Sequence, residues 1–176
     1  MIIKDKKEVI HHLLNKKIVA IFQGESEWGP RALGNRSILF DPRVPNAKEI
    51  INTVKKREWY RPFAGSILLE HAKDYFEMAT IKESPYMSFA MPAKPKAKKE
   101  VPGIIHVDGT CRVQTVTEEQ NKVFYNLIKL FYEKTGVPIL FNTSFNLAGE
   151  SLVQTIEDAK RTVNKSSIDY LYIPSQ

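Results

Sequence analysis

Short apolar runs alternate irregularly with amphipathic segments along the 176 residues, and this alternation constrains the fold more than any other feature. Because predicted strands and helices are interleaved, we expect an α/β or α+β fold with one mixed sheet rather than a barrel or a bundle. No repeat or linker divides the chain, so we expect one domain over residues 1–176. The strands 103–107 and 111–116 are predicted to form a hairpin around Asp108 and Gly109. The other predicted strands are residues 18–22, 36–40, 63–69, 85–91, 137–141 and 169–173.

Local signals predict where the helices begin and end. Two residue pairs resemble capping boxes, Asn46 with Glu49 and Thr117 with Gln120, and each opens a predicted helix. The lysine-rich residues 92–99 have no helical stripe, and we interpret them as a solvated loop. The predicted helices are residues 5–15, 46–55, 117–136 and a segment that begins near 155.

The composition is that of a soluble globular protein, with 43% hydrophobic and 26% charged residues. No apolar run approaches the roughly 20 residues that span a bilayer, and the N-terminal segment lacks the apolar core of a signal peptide. A single cysteine, Cys111, excludes an internal disulfide framework and a cysteine-based zinc cluster. We therefore predict a cytoplasmic protein with no membrane partner and no metal site of its own.

The net charge of +6 is compatible with nucleic acid, a membrane surface or small anions as partners. Its distribution favours the last of these, because the arginines fall in patterned stretches whereas four lysines cluster between residues 94 and 99. Arginine binds planar anions through two parallel hydrogen bonds, which lysine cannot do. A compact anionic ligand is therefore the first hypothesis and RNA the second.

Two arginine-rich stretches are the first candidates for such a site. Residues 23–43 place several polar side chains between two predicted strands, where burial is costly unless something pairs with them. A ligand could do so, and so could Glu25, Glu27 or Asp41. Residues 55–62 bring cations to a helix end, where they could converge on one point or simply offset the helix dipole. The spacing alone leaves both interpretations open.

Two further stretches carry polar side chains at a predicted sheet. Residues 108–115 place Arg112 and Gln114 on one face of a strand, which suits either a ligand or solvent. Residues 141–149 follow an apolar strand and offer hydroxyls and amides, which could cradle a phosphate or form ordinary turns. The candidate binding residues of all four stretches are Arg31, Asn35, Arg36, Ser37, Lys55, Arg57, Arg61, Arg112, Gln114, Asn142, Thr143, Ser144 and Asn146.

Other chemically active residue types are weaker candidates. Cys111 lies on the opposite face of its strand from Arg112 and Gln114, and we interpret it as a small buried residue rather than a nucleophile. His106 ends an apolar strand, and a lone histidine in such a position more often has a structural role than the role of an acid or base. The aromatic residues Trp28, Trp59, Tyr60 and Phe63 are expected to pack against other side chains rather than to stack on bases.

Four motifs occur together in a characteristic order: WGPRALGNRSIL followed by DPR, K-x-RE-x-x-RPFA, DGT-x-RVQTV, and TGVP-x-L-x-NTSFN-x-x-GE. Over roughly residues 17–173 they closely resemble the C-terminal domain of the O-carbamoyltransferases that modify nodulation factors, cephalosporins and aminoglycosides. This resemblance implies a YrdC-like fold, a twisted open mixed sheet with flanking helices.

The resemblance also implies a reaction. In this family the YrdC-like half takes carbamoyl phosphate, releases phosphate, and joins the carbamate to AMP from ATP, giving carbamoyl adenylate and pyrophosphate. Lys55 and Arg61 match the basic pair that holds carbamoyl phosphate, and Arg31 should serve the same anion. Arg112 should meet the phosphates, which makes Lys55, Arg61 and Arg112 the expected catalytic residues, with Mg²⁺ accompanying ATP. The residues expected near the carbamoyl group and the adenylate are Asn142, Ser144 and Asn146.

An actin-like N-terminal domain transfers the carbamoyl group to a hydroxyl in this family. The chain begins near the start of the YrdC-like half, so we expect a separate actin-like domain or subunit as partner. Two alternatives remain open. YrdC-like folds also occur in the synthesis of threonylcarbamoyl-adenosine on tRNA, which leaves an RNA-binding module, and the chain could be a non-catalytic carbamoyltransferase subunit.

Overall fold

A computed structural model of the protein describes residues 1–175 and contains eight strands in one sheet. The strands are β1 (Ile2–Ile3), β2 (Val19–Phe22), β3 (Arg36–Phe40), β4 (Ala64–Leu68), β5 (Ala90–Pro92), β6 (Thr110–Val116), β7 (Ile139–Ser144) and β8 (Tyr170–Tyr172). The helices are α1 (Lys6–Leu14), α2 (Ala47–Val54), α3 (Ala72–Tyr75), α4 (Pro95–Glu100), α5 (Lys122–Thr135) and α6 (Ile156–Asn164). Short 3₁₀ turns cover Leu69–His71 and Pro102–Ile104.

The sheet is mixed, as the interleaving of apolar runs and helices predicts. Its strand order is β1-β8-β2-β3-β7-β4-β6-β5. The β1–β8, β2–β8 and β4–β6 pairs are parallel, whereas the β2–β3, β3–β7, β4–β7 and β5–β6 pairs are antiparallel. The predicted fold class is therefore confirmed.

Strand register brings together residues that are far apart in the chain. Ala64 in β4 pairs with Arg112 in β6 on one side and with Asn142 in β7 on the other. Residues that pair across neighbouring strands lie on the same face of a sheet, so Arg112 and Asn142 share one face. Ser66, two residues further along β4, pairs with Gln114 in the same way. The polar positions of three strands thus form one continuous surface.

Two of the predicted strands are wrong. Of residues 85–91, only the end belongs to a strand, β5. Residues 103–107 contain part of a 3₁₀ turn and no strand, so the hairpin predicted around Asp108 and Gly109 does not form. Instead β6 pairs with β5 in antiparallel and with β4 in parallel orientation.

The helices follow their predicted apolar stripes, but some of their ends differ. The lysine-rich segment forms α4, with Pro95 in its first turn, so the loop prediction is wrong. Asn46 precedes α2 without a side-chain cap. Thr117 and Gln120 do exchange backbone–side-chain hydrogen bonds, but α5 begins later, with Asn121 as its N-cap. Gly136 ends this helix in the left-handed conformation, as predicted.

The core lies between the sheet and α5, whose buried stripe is Phe124, Leu127, Ile128 and Phe131. The helix α6 begins with a capping box between Thr155 and Asp158. None of the helices within residues 1–175 is long and apolar enough to cross a membrane.

Candidate anion-binding site

Three arginines meet in a small cleft of about 100 Å³ at the polar end of β7. Arg31 comes from the loop before β3, Arg57 from the loop after α2, and Arg112 from β6. Opposite them, β7 contributes one amide and two hydroxyl side chains. The remaining lining residues are Pro30, Ala32, Pro62, Phe63, Ala64, Met87, Asn142, Thr143 and Ser144.

No carboxylate neutralises these three arginines within residues 1–175, because the ion pairs of this part of the chain involve other cations. Burial lowers the pKa of Arg112, and the charge of Arg31 lowers it further. Like charges brought together in this way repel one another unless an anion lies between them. The cleft therefore concentrates positive charge without a protein carboxylate to neutralise it within residues 1–175, which makes it the candidate site for a compact anion.

Arg57 is the most constrained of the three. Its Nε donates to Oδ1 of Asn52 at 2.6 Å, and its guanidinium lies 4.2 Å from the centre of the Phe63 ring. One terminal nitrogen, Nη2, is buried without a hydrogen-bond partner among residues 1–175. Burial, followed by the charge of Arg61, lowers the pKa of Arg57 to about 10. An unpaired buried donor on a cation indicates a missing acceptor.

A larger cleft of about 570 Å³ adjoins the first and shares Arg57 and Ser144 with it. Arg61 lies here, but its guanidinium is half exposed and pairs with Glu58, with 2.6 Å between Nε and Oε2. Backbone of residues 147–149 forms the opposite wall. The two clefts therefore form one continuous groove along Arg57 and Ser144.

Lys55 also lines the larger cleft, yet its ammonium group faces the protein. The side chain is 2% exposed, and Nζ donates to the backbone and side-chain oxygens of Ser144 and Asn146. Burial, followed by the charge of Arg57, lowers the pKa of Lys55 to about 7. Lys55 therefore holds the segment that follows β7 in place.

Asn35 and Gln114 lie beyond the small cleft, in a third cleft of about 290 Å³. The two clefts are neighbours along the same elements: Met87 lines the first, and Tyr86 lines the second. The predicted binding residues Asn35 and Gln114 thus lie next to the arginine cluster rather than within it.

Two other predicted binding residues, Arg36 and Ser37, do not reach any of these clefts. Arg36 is buried over the Phe22 ring, and its terminal nitrogens donate to the carbonyls of residues 23 and 24. Ser37 Oγ accepts from the backbone nitrogen of Gly34 at 3.1 Å. Both side chains shape the loop that presents Arg31.

Glu27 is the acidic residue that organises this loop. Its carboxylate accepts hydrogen bonds from the backbone nitrogens of Leu33 at 2.8 Å and Asn35 at 2.7 Å. Gly34 lies between them with a φ of +110°, and an added Cβ would lie 2.4 Å from the Phe124 ring. The glycine of the PRALG motif is therefore required by both backbone conformation and space.

The buried amide of Asn142 connects β7 to the arginine-bearing loop. Its nitrogen donates to the Ala32 carbonyl at 3.1 Å and to Ser66 Oγ at 2.9 Å, whereas its oxygen has no partner among residues 1–175. Sequence reasoning selected Asn142 but missed Ser66 and Asn52, which position site residues. Both are polar residues in otherwise apolar segments, and this pattern is the sequence signal that could have identified them.

The remaining candidates have structural surroundings. His106 contacts Thr110 Oγ1 and the Phe63 carbonyl through its two ring nitrogens. Cys111 is fully buried, as predicted, and burial raises the pKa of its thiol to about 12. Of the four aromatic residues expected to pack, Phe63 is buried, whereas the expectation is wrong for Trp28, Trp59 and Tyr60, which are 99%, 78% and 66% exposed.

No group of three or more His, Cys, Asp or Glu side chains in the described part of the chain is placed to hold a metal ion. Mg²⁺ that accompanies a nucleotide is held mainly by phosphates and water, so it does not require such a group.

Solved structures define the class of domain. Full-length HypF in a phosphate- and nucleotide-bound form has a TM-score of 0.68 and 18% identity, covering 99% of this chain and 25% of HypF. Sua5 from P. abyssi, in complex with L-threonine, has a TM-score of 0.68 and 14% identity, covering 100% of this chain and 51% of Sua5. The fold is therefore that of the YrdC-like domains, as predicted.

The sequence then identifies the family. The model of the family described as carbamoyltransferase C-terminus matches residues 10–176, and the chain belongs to that family. The nodulation protein NolNO of Sinorhizobium fredii is 46% identical over 160 residues, which covers 90% of this chain and 24% of NolNO. The chain spans about a quarter to a third of the curated relatives it matches.

Proposed function

We propose that this domain binds carbamoyl phosphate and ATP and forms carbamoyl adenylate. The observation that carries the proposal is the cluster of Arg31, Arg57 and Arg112, which lacks a carboxylate partner within residues 1–175. Membership of the carbamoyltransferase family and a fold shared with a nucleotide-bound HypF support it.

The proposed reaction has two steps. In the first, water attacks the phosphorus of carbamoyl phosphate, the phosphorus–oxygen bond to the carbamoyl group breaks, and inorganic phosphate and carbamate separate. In the second, a carbamate oxygen attacks the α-phosphorus of ATP, and pyrophosphate leaves with its bridging oxygen. The second step brings two anions together, so fixed cations lower its barrier by offsetting their repulsion.

The side chains divide this work by position. Arg31, Arg57 and Arg112 offset the charges of the anions in the small cleft, and Arg61 extends the positive surface into the larger cleft. Lys55 acts by holding the Ser144–Asn146 segment at their junction. No protein nucleophile is required, because positioning and charge stabilisation account for the catalysis.

The larger cleft has room for the polyphosphate of ATP, and Mg²⁺ would be bound by that polyphosphate. A separate actin-like domain or subunit would then transfer the carbamoyl group to a hydroxyl acceptor. The length of the relatives, of which this chain matches about a quarter to a third, is consistent with such a partner.

Product analysis tests the proposal. The purified chain is incubated with carbamoyl phosphate, ATP and Mg²⁺, and the reaction is followed by ³¹P NMR. We expect phosphate, pyrophosphate and carbamoyl adenylate to appear together, and Arg31→Gln to suppress all three. The matched control is Arg161→Gln, which removes an exposed arginine that pairs with Asp158 on α6. Consumption of ATP at an unchanged rate without carbamoyl phosphate would contradict the proposal.

A further inference from the structure

Asn142 has an unusual environment for an amide side chain. It is 1% exposed in the middle of β7, and it lines the small cleft that contains the three arginines. Its nitrogen is fully used, but its oxygen, Oδ1, is buried with no donor among residues 1–175. Buried polar atoms without a partner are rare in folded proteins, and this one belongs to a residue that lines a cleft with three arginines.

The orientation of this amide is fixed by its neighbours. Asn142 Nδ2 donates to the Ala32 carbonyl at 3.1 Å, which can only accept. Turning the amide over would place Oδ1 against that carbonyl oxygen, so two acceptors would face each other. Ser66 Oγ links this amide to Gln114. It accepts a hydrogen bond from Asn142 Nδ2 at 2.9 Å and donates one to Gln114 Oε1 at 2.7 Å.

Gln114 is locked in turn. Its nitrogen donates to the Leu33 carbonyl at 3.0 Å, so its oxygen must face Ser66 and Asn142. Two backbone carbonyls of the PRALG loop therefore set the polarity of the network, and Asn142 Oδ1 is left as a fixed acceptor.

We infer that Asn142 Oδ1 accepts a hydrogen bond from the nitrogen of the carbamoyl group, and that this contact selects carbamoyl phosphate over other acyl phosphates. The inference rests on the proposed function and adds a determinant of specificity to it. Acetyl phosphate has the same phosphate and carbonyl and nearly the same size, but a methyl group replaces the amino group. With acetyl phosphate, the acceptor would remain unpaired against an apolar group, which is unfavourable.

The test compares the two acyl phosphates by calorimetry on the parent protein. One hydrogen bond at a buried site corresponds to a factor of about 10 in affinity, so we expect acetyl phosphate to bind about 10-fold more weakly than carbamoyl phosphate. Equal affinities would overturn the inference and leave the proposed function intact. If neither compound binds, both the proposed function and the inference fail.

A variant provides a second readout. Asn142→Ser removes the acceptor, and we expect the affinity ratio of carbamoyl phosphate to acetyl phosphate to fall from about 10 to about 1. The ratio is insensitive to a general weakening of the site, because the arginines contact both ligands. Asn126→Ser on α5, where the amide donates to the Lys122 carbonyl, is the control, and it should keep the parental ratio. An unchanged ratio in folded Asn142→Ser would contradict the inference, and if that variant does not fold, the parental comparison decides.

Discussion

We predict that Arg112→Gln weakens the binding of carbamoyl phosphate without lowering the free energy of unfolding. The Arg112 guanidinium makes no ion pair within residues 1–175, and both burial and the charge of Arg31 lower its pKa. Replacing it with glutamine therefore leaves no protein acceptor unpaired and relieves a like-charge repulsion. We expect the free energy of unfolding to be unchanged within about 0.5 kcal/mol, or to rise.

Ligand affinity should respond in the opposite direction. A hydrogen bond between a charged donor and a phosphate contributes about 1.5–3 kcal/mol, which corresponds to a loss of about 10- to 150-fold in affinity for carbamoyl phosphate. Calorimetry at constant ionic strength measures the affinity, and urea unfolding followed by circular dichroism measures stability. Arg161→Gln, at an exposed position on α6, should change neither. The reasoning is refuted if Arg112→Gln binds like the parent, or if it loses more than about 2 kcal/mol of stability.

Three further outcomes follow from buried groups. The pKa of Lys55 falls from 10.5 to about 7, so between these values the unfolded chain binds more protons and stability should rise with pH. From about pH 7 to about pH 9.5 the rise is up to about 3 kcal/mol, and urea unfolding of Lys55→Met should lack it; an equal rise in that variant would refute this origin. Gly34→Ala forces a Cβ against Phe124 and should destabilise the protein by more than about 2 kcal/mol in the same assay, and an unchanged midpoint would contradict the geometry. The Cys111 thiol, whose pKa is raised to about 12, should react with a thiol reagent at pH 8 far more slowly when folded than in urea, and equal rates would show that it is accessible.

The apolar strands were predictable because an apolar run is buried whichever elements it packs against. The runs that became β3, β4 and β7 are almost entirely buried, and their composition alone indicates this. The errors arose where local and tertiary preferences differ. Residues 103–107 have the composition of a strand, but their first residues form a 3₁₀ turn that contacts α2 instead of pairing with the sheet. Gly103 in this turn packs against the carbonyls of Pro42 and Val44.

The charged residues around the small cleft were candidates in the sequence for a different reason. Arginine is costly to place near a sheet without a partner, so Arg31 and Arg112 were candidates for ligand binding, although the sequence also allowed a protein partner for Arg31 and solvent for Arg112. Two features were not predictable: that the Lys55 ammonium group faces the protein, and that the Asn142 side-chain oxygen has no partner within residues 1–175. Both depend on contacts across long separations, such as the 110 residues between Ala32 and Asn142.

Exchange of labelled pyrophosphate into ATP tests the central claim most directly, because it reports reversible formation of an adenylate. The purified chain is assayed with ATP and Mg²⁺ in the presence and absence of carbamoyl phosphate, with Arg31→Gln and Arg161→Gln alongside. The account predicts exchange that requires carbamoyl phosphate, persists in Arg161→Gln and is lost in Arg31→Gln. Exchange that is independent of carbamoyl phosphate, or unaffected by Arg31→Gln, would contradict it.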